Sequence, residues 1–195
     1  GYGDYPTLTK QPMVYARGYY LDASNDPDGV FEGKPFQLVR DASLSDNGGT
    51  IRRAAATWDS SAGSVDAFWV LQYSGAVNVK WFGATGDGSA DDTAALNAAF
   101  DLGNVFIPQG TYVYSGDKTL TTDLILKGVP GKSIIVGTVT NTRLTVTAAN
   151  TQTLFVQGVT FKQFERALAS AGGGIVDAVT ILDCNFDDCG GYGVA

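Results

Sequence analysis

The chain has 195 residues, with 13 Lys and Arg against 20 Asp and Glu, no histidine, and a formal net charge of −7. This acidic balance argues against a general nucleic-acid binder, which needs cations on phosphates. The missing histidines exclude Ser-His-Asp and Cys-His nucleophile systems and any histidine-held metal. With 17% charged residues, 25 glycines and many Thr and Val, the composition favours turns and strands over helices, in one or two domains with a real core. No apolar run approaches the length of a membrane span, and the start has no signal-peptide pattern.

Residues 1–78 are rich in aromatics, among them Tyr15, Tyr19, Tyr20, Phe31, Phe36, Trp58, Phe68, Trp69 and Tyr73. Loops at 25–29 and 45–49 carry Asn, Asp, Gly and Pro, the usual turn chemistry. Phe36–Val39 and Thr50–Arg52 flank the second loop and read as a hairpin, so the segment is expected to be a small β-rich region. Residues 79–93 then join an apolar strand-like run to a glycine-rich turn and a helix start. Gly86 and Gly88 suit a tight turn that passes through positive φ. Asp91 and Asp92 precede Thr93–Phe100, where a carboxylate caps orphan N–H groups and complements the helix dipole. Leu96, Ala99 and Phe100 place one apolar face on that helix. A Ca²⁺ loop over Gly86–Asp92 is the alternative, but the EF-hand order and its closing Glu are missing. The Lys-Ser/Thr ending of a phosphate loop is missing too. Helix capping is the simpler reading, and no metal or cofactor is expected.

The rest of the chain repeats itself. Val156, Val159, Phe161 and Phe164 align with Ile181, Cys184, Phe186 and Cys189 at an offset of 25 residues. Leu124–Val129 aligns with Leu154–Val159 at an offset of 30. Repeats of this length mark solenoids, whose units bury their faces only against neighbours. Alternation runs for a few residues, shifts phase at a Gly or Asp, and resumes, as in a coil of short strands joined by corners. An ordinary β-sandwich is the structural alternative, but it would not stack like positions at a near-constant offset. The helix near 92–101 is expected to plug the first rung. The last residues read as the start of another strand, so the chain is expected to be the N-terminal part of a longer one. Cys184 and Cys189 form a C-x4-C pair, read as two small buried apolar residues rather than a disulfide across a tight loop. Asp183, Asp187 and Asp188 cluster on one rung. Paired carboxylates at about 5–5.5 or 6.5–9.5 Å are the machinery of glycoside hydrolysis, which makes these three the catalytic candidates. Any solvated rung looks the same.

Val79–Ala99, with Gly83, Gly86, Gly88, Asp91, Asp92 and Thr93, and then Val105–Tyr112, with Pro108, Gly110 and Thr111, resemble the opening of the pectate-lyase-like right-handed parallel β-helix family. Its members include phage tailspikes and polysaccharide-degrading enzymes, and the likeness is greatest to the N-terminal part of a tailspike or tail fibre. The resemblance implies an all-β fold in which residues 79–195 hold the capping helix and first rungs of a parallel β-helix. Residues 1–78 would form a β-rich adaptor that docks to other tail or baseplate proteins. It implies a homotrimer on a virion tail that binds a host surface polysaccharide through distal rungs, and it leaves open whether the full chain also depolymerises it. These 195 residues alone are expected to be inactive, because the acidic rung lacks its neighbours. The alternative is a secreted bacterial glycoside hydrolase or lyase of the same fold. Nucleic acid and membrane are not expected partners.

Overall fold

The computed structural model describes residues 13–15, 34–53, 67–120, 122–138, 143–147, 153–171 and 178–190. They belong to two compact units, Gly1–Ser74 and Gly75–Ala195. The loop expected at 25–29, and Tyr19, Tyr20, Phe31 and Trp58, lie outside the described residues.

The first unit contains an antiparallel sheet of β1 (Met13–Tyr15), β2 (Pro35–Arg40), β3 (Ile51–Arg53) and β4 (Ala67–Leu71), in the order β1-β2-β4-β3. The expected hairpin of Phe36–Val39 with Thr50–Arg52 is therefore corrected. Both segments pair with β4 instead, Leu38 opposite Trp69 on one side and Arg52 opposite Trp69 on the other. The apolar strand β4 takes one of the two doubly paired places beside β2, where Phe68 and Leu71 are buried with Phe36 and Leu38. The intervening loop closes on its own side chains. Asn47 Oδ1 accepts from the N–H groups of Gly49 and Ile51, and Asp46 accepts from those of Gly48 and Arg53. The Arg53 guanidinium lies 4.7 Å over the Phe68 ring.

The second unit is a coil of short parallel strands. Its opening is β5 (Val77–Asn78), a 3₁₀ turn at Val79–Phe82, β6 (Asp87–Asp91) and helix α1 (Thr93–Phe100). The next rung is β7 (Asn104–Ile107), β8 (Gly110–Tyr114) and β9 (Asp117–Leu120). A further rung is β10 (Leu124–Gly128), β11 (Ser133–Gly137) and β12 (Arg143–Thr147). Then come β13 (Thr153–Gln157), β14 (Val159–Lys162) and β15 (Arg166–Ala171), and finally β16 (Ala178–Leu182) and β17 (Asn185–Asp187). Like strands stack into three parallel sheets: β5-β7-β10-β13-β16, β6-β8-β11-β14-β17 and β9-β12-β15. This is a parallel β-helix.

The expected stacking holds. Val77, Val105, Leu126, Val156 and Ile181 form one in-register column. Tyr112, Ile135, Phe161 and Phe186 form another. Alternation turns every second side chain inward, so Val105, Leu126, Val156, Tyr112 and Phe161 are all buried. Each such burial is worth about 1.5–3 kcal/mol against exposure. Aromatic contacts run along the interior: Tyr114 stacks on Phe164 at 6.0 Å, Phe161 meets Phe164 edge-on, and Phe161 stacks on Phe186 at 5.5 Å. Gly137, opposite Tyr114 in the following rung, has no side chain to come between Tyr114 and Phe164. The hydroxyl of Ser133, fully buried, donates to the carbonyls of Ile107 and Pro108 and accepts from the Val129 N–H, tying two rungs at a corner.

The helix α1 buries Ala95, Leu96, Ala99 and Phe100 over the first rung, beside the buried Trp81 and Phe82 of the 3₁₀ turn. Tyr114 is buried and its hydroxyl donates to Asn97 Oδ1 at 2.9 Å, so helix and rung share a polar anchor. Asp91 accepts from the Thr93 N–H at 2.9 Å and from the Ser115 hydroxyl at 3.1 Å. Asp92 occupies the N-cap position, but its carboxylate makes no bond to the helix. The expected capping role is corrected for this residue. Its carboxylate is buried and accepts from the N–H groups of Thr85 and Gly86, at 2.7 and 3.2 Å, which closes the glycine-rich turn from behind. The turn's amides have no ladder partner, and the nearest carboxylate satisfies them. Burial pushes the Asp92 carboxyl above its ordinary value, while those hydrogen bonds oppose the shift.

Gly86 and Gly88 have φ of 66° and 79°, in the left-handed region. A Cβ on Gly86 would lie 2.7 Å from the Tyr112 ring, whereas one on Gly88 would only touch Thr111 at 3.5 Å. Gly88→Ala is therefore expected to cost about 1–2 kcal/mol from the backbone alone. Gly86→Ala is expected to cost clearly more, because Tyr112 is buried and cannot move aside. Denaturant unfolding of both variants checks the order, and equal losses would contradict it. A second outcome concerns acid. The Thr93 hydroxyl and N–H hold the Asp91 carboxyl below its ordinary value. Its contribution is thus present above the unfolded-state pKa and lost as pH falls through the lower folded-state value. The stability of Asp91→Asn, measured by thermal unfolding from neutral pH downward, should fall less steeply in that acid range than that of the parent chain.

Candidate functional site

The inside of the coil is filled with side chains, so chemistry has only the outward positions and the corners. The three acidic candidates lie on and beside β17. Asp187 is exposed and in register with Lys162, whose Nζ is 3.3 Å from Asp187 Oδ2. Both side chains are about half exposed, and such a pair contributes at most about 1 kcal/mol. Asp183 and Asp188 are corner residues with φ of 53° and 51°. One rung earlier the same corners hold Gly158, at φ 70°, and Gln163, at φ 56°. Asp tolerates the left-handed region better than most residues. Two of the three carboxylates therefore have a conformational reason for their positions. In sequence the corner appeared only as a phase shift in the alternation.

The cysteines flank the same strand. Cys184 and Cys189 are free and half-buried. Their thiols approach carbonyls of the preceding rung, Val156 and Phe161, each at 3.7 Å. They are less enclosed than the buried pair expected from sequence. Phe186 and Ile181 are likewise half-buried, because the final described rung has a described neighbour on one side only.

The acids of the opening turn are engaged locally. Asp87 accepts from the N–H groups of Ala90 and Ser89, which hold its carboxyl below the ordinary value. Together with Asp91 and Asp92 it organises the turn rather than presenting free oxygens.

A third set of residues was not singled out from sequence. On the sheet β5-β7-β10-β13-β16 the outward positions are Asn104 and Phe106, Ile125 and Lys127, then Phe155 and Gln157. Ile125 and Lys127 are exposed, and Phe106 and Phe155 are half-buried. Register places Lys127 beside Phe106 on one rung and Gln157 on the next, and Ile125 beside Phe155. Lys127 Nζ lies 5.7 Å over the Phe155 ring. The signal was the same alternation that marked the core, taken at its other parity. Without the register it cannot show which outward residues become neighbours.

Comparison with known proteins places this geometry. Residues 76–167 match the family described as rhamnogalacturonase A/epimerase, pectate lyase-like. The chain is 53% identical over 45 residues to mannuronan C5-epimerase AlgE3 of Azotobacter vinelandii, a span of 20% of this chain and 2% of that protein. In three dimensions it resembles the enzymatically active domain of bacteriophage CBA120 tailspike protein 2, with a TM-score of 0.57 and 18% identity, over 91% of this chain and 24% of the other. It also resembles Pantoea stewartii WceF, described as a glycan biofilm modifying enzyme with a tailspike-like parallel β-helix fold. That match has a TM-score of 0.61 and 17% identity, over 86% of this chain and 27% of the other. The chain thus spans a small part of the curated relative and about a quarter of each solved structure. Residues 76–167 are thus similar to the pectate-lyase-like family, and the chain shares the right-handed parallel β-helix fold seen in a phage tailspike.

Proposed function

We propose that this chain serves a tailed phage or phage-like particle in host attachment, as part of a tailspike or tail fibre that engages a surface polysaccharide. The observation that carries the reading is the order of the two units. A separate antiparallel sheet precedes the helix-plugged opening of a parallel β-helix. The likeness to a phage tailspike domain extends over 91% of the chain, so it takes in more than the coil. In this reading residues 1–78 dock to other tail proteins, the protein is a homotrimer on the virion tail, and the coil meets the glycan. The outer sheets of the coil carry Ile125, Phe155 and Leu182, apolar surface for which trimerisation is one outlet.

The second reading is a secreted polysaccharide-modifying enzyme of the same fold. It is favoured by the match of a short stretch to a mannuronan epimerase and by the likeness to a glycan-modifying enzyme. Whether the whole protein cleaves its glycan belongs to this choice.

Particle incorporation separates the two. A version of the protein that begins near Val77 keeps the coil from β5 onward and is expected to stay folded but to be absent from purified particles. Normal incorporation would remove the docking role of residues 1–78. Light scattering on the complete protein should give a trimer, and a monomer at micromolar concentration would move the preference to the secreted enzyme.

A further inference from the structure

Strand β3 ends the first unit's sheet, with β4 on one side of it. An edge strand presents a row of N–H and C=O groups that is a template for a further strand. The Leu71 N–H donates to the Thr50 carbonyl, so Thr50 and, two residues on, Arg52 turn their main chain to β4. Ile51 and Arg53 turn theirs to the outer edge. Those outward groups find their partners in residues 46 and 47. The Ile51 N–H donates to Asn47 Oδ1 at 2.9 Å, the Ile51 carbonyl accepts from the Asn47 N–H at 3.0 Å, and the Arg53 N–H donates to Asp46 Oδ2 at 2.8 Å. The loop therefore lies along the edge in the place of a strand. Its own bonds hold it there: Asn47 Nδ2 donates to Thr50 Oγ1, and Asp46 Oδ1 accepts from the Gly48 N–H. Gly48, at φ 79°, gives the chain the left-handed residue that this reversal uses.

We propose that Asp46 and Asn47 form an edge guard, which keeps β3 of one copy of this chain from adding to β3 of a second copy. An identical strand is the fitting occupant, because two copies can pair antiparallel about a two-fold and so use up both edges at once. The outward main-chain groups then match, with Ile51 of each copy opposite Arg53 of the other and Arg52 opposite Arg52. That last pair is like-charged, which opposes the contact but is weakened by salt. In the folded chain Arg52 is also engaged within its own unit: it donates to the Gly48 carbonyl, and its Nε lies 3.5 Å from Asp46 Oδ1. The arginines by themselves are a weak deterrent, and the hydrogen-bonded loop is the main one. Behind the edge stands β4, with Phe68 and Leu71 buried, so an opened edge leads directly to an apolar strand. The guard serves an attachment protein and a secreted enzyme alike, and its test does not depend on which of them the chain is.

The test is light scattering on the full chain, joined to amide hydrogen exchange, for the parent, Asn47→Ala, Asp46→Ala and Asn47→Asp. The parent's assembly mass should stay constant as salt is added. Asn47→Ala removes the acceptor of the Ile51 N–H and leaves the contact between Arg52 and Asp46 in place. Its mass should rise with concentration to about twice the parent's or beyond, the least that a two-fold pair requires, and should do so at lower concentration once salt screens Arg52. Asp46→Ala takes the acceptor from the Arg53 N–H and should act in the same direction. Asn47→Asp keeps an oxygen on the Ile51 N–H and should behave as the parent. The Ile51 amide should exchange faster in dilute Asn47→Ala than in the parent and regain protection as copies pair, while the amides between β2 and β4 stay protected throughout. Unchanged mass in both alanine variants, with the β2–β4 ladder protected, would overturn the proposal. Association that comes with loss of that protection would also overturn it, because unfolding and not an opened edge would be the cause. Association that leaves the Ile51 amide fast to exchange, or equal association of Asn47→Asp and Asn47→Ala, would do the same.

Discussion

In-register parallel stacking is the constraint on which the coil depends. Each rung has only two neighbours, and its strands find backbone partners and core cover there and nowhere else. A slip of one residue in any strand would turn Val105, Leu126 or Val156 outward and bring its polar neighbours inside. The corners must therefore repeat closely enough to return the chain to the same column, even though rung lengths differ. Asn104 meets Ile125, Leu124 meets Leu154 and Val156 meets Ile181, offsets of 21, 30 and 25 residues. The variation in length is absorbed between strands, and the columns are conserved in space. Close corners follow from the same requirement. Gly128 and Gly158 approach so tightly that a Cβ on either would lie 2.7 Å from the other's carbonyl oxygen.

Stacking creates an open end, and the opening segment is the solution to it. The helix α1 lays its apolar face over the first rung, and β5 and β6 pair with the strands below it. The polar cost of that closure is met locally. Asp92 satisfies the turn's amides, Asp91 takes the first helical N–H, and Asn97 receives the Tyr114 hydroxyl. A buried carboxylate with several donors holds a turn firmly because each donor left unpaired would cost about 1–3 kcal/mol.

A filled interior leaves only outer faces for recognition, so the faces must differ if the coil is to bind anything selectively. They do differ. One sheet ends in Asp187 paired with Lys162 between two left-handed corners. Another sheet presents Phe106 and Phe155 around Lys127, with the Asp123 carboxylate at its edge on the Thr153 N–H. The acidic cluster was the more conspicuous of the two in sequence, but its positions are largely accounted for by corner geometry. The aromatic and basic set was scattered over Phe106, Lys127 and Phe155 and became one surface through stacking.

Much of the fold was legible without coordinates, because a solenoid writes its packing into local sequence. Columns demand like residues at like positions, so Val156 and Ile181, Phe161 and Phe186, and Leu124 and Leu154 could be paired by inspection. The glycine-rich turn and apolar helix face of residues 83–100 were equally plain, since φ and amphipathicity are properties of short segments. Three things were not local. Strand β4 was free to choose partners, and it took the place between β2 and β3 that buries Phe68 from both sides. Asp92 had orphan amides available in two directions, and burial behind the turn directed its carboxylate to Thr85 and Gly86. The outer neighbours of Lys127 depended on registers across rungs of unequal length. Residue type and alternation determined which side chains face inward; only the closed coil, by fixing those registers, determined which outward side chains share a surface.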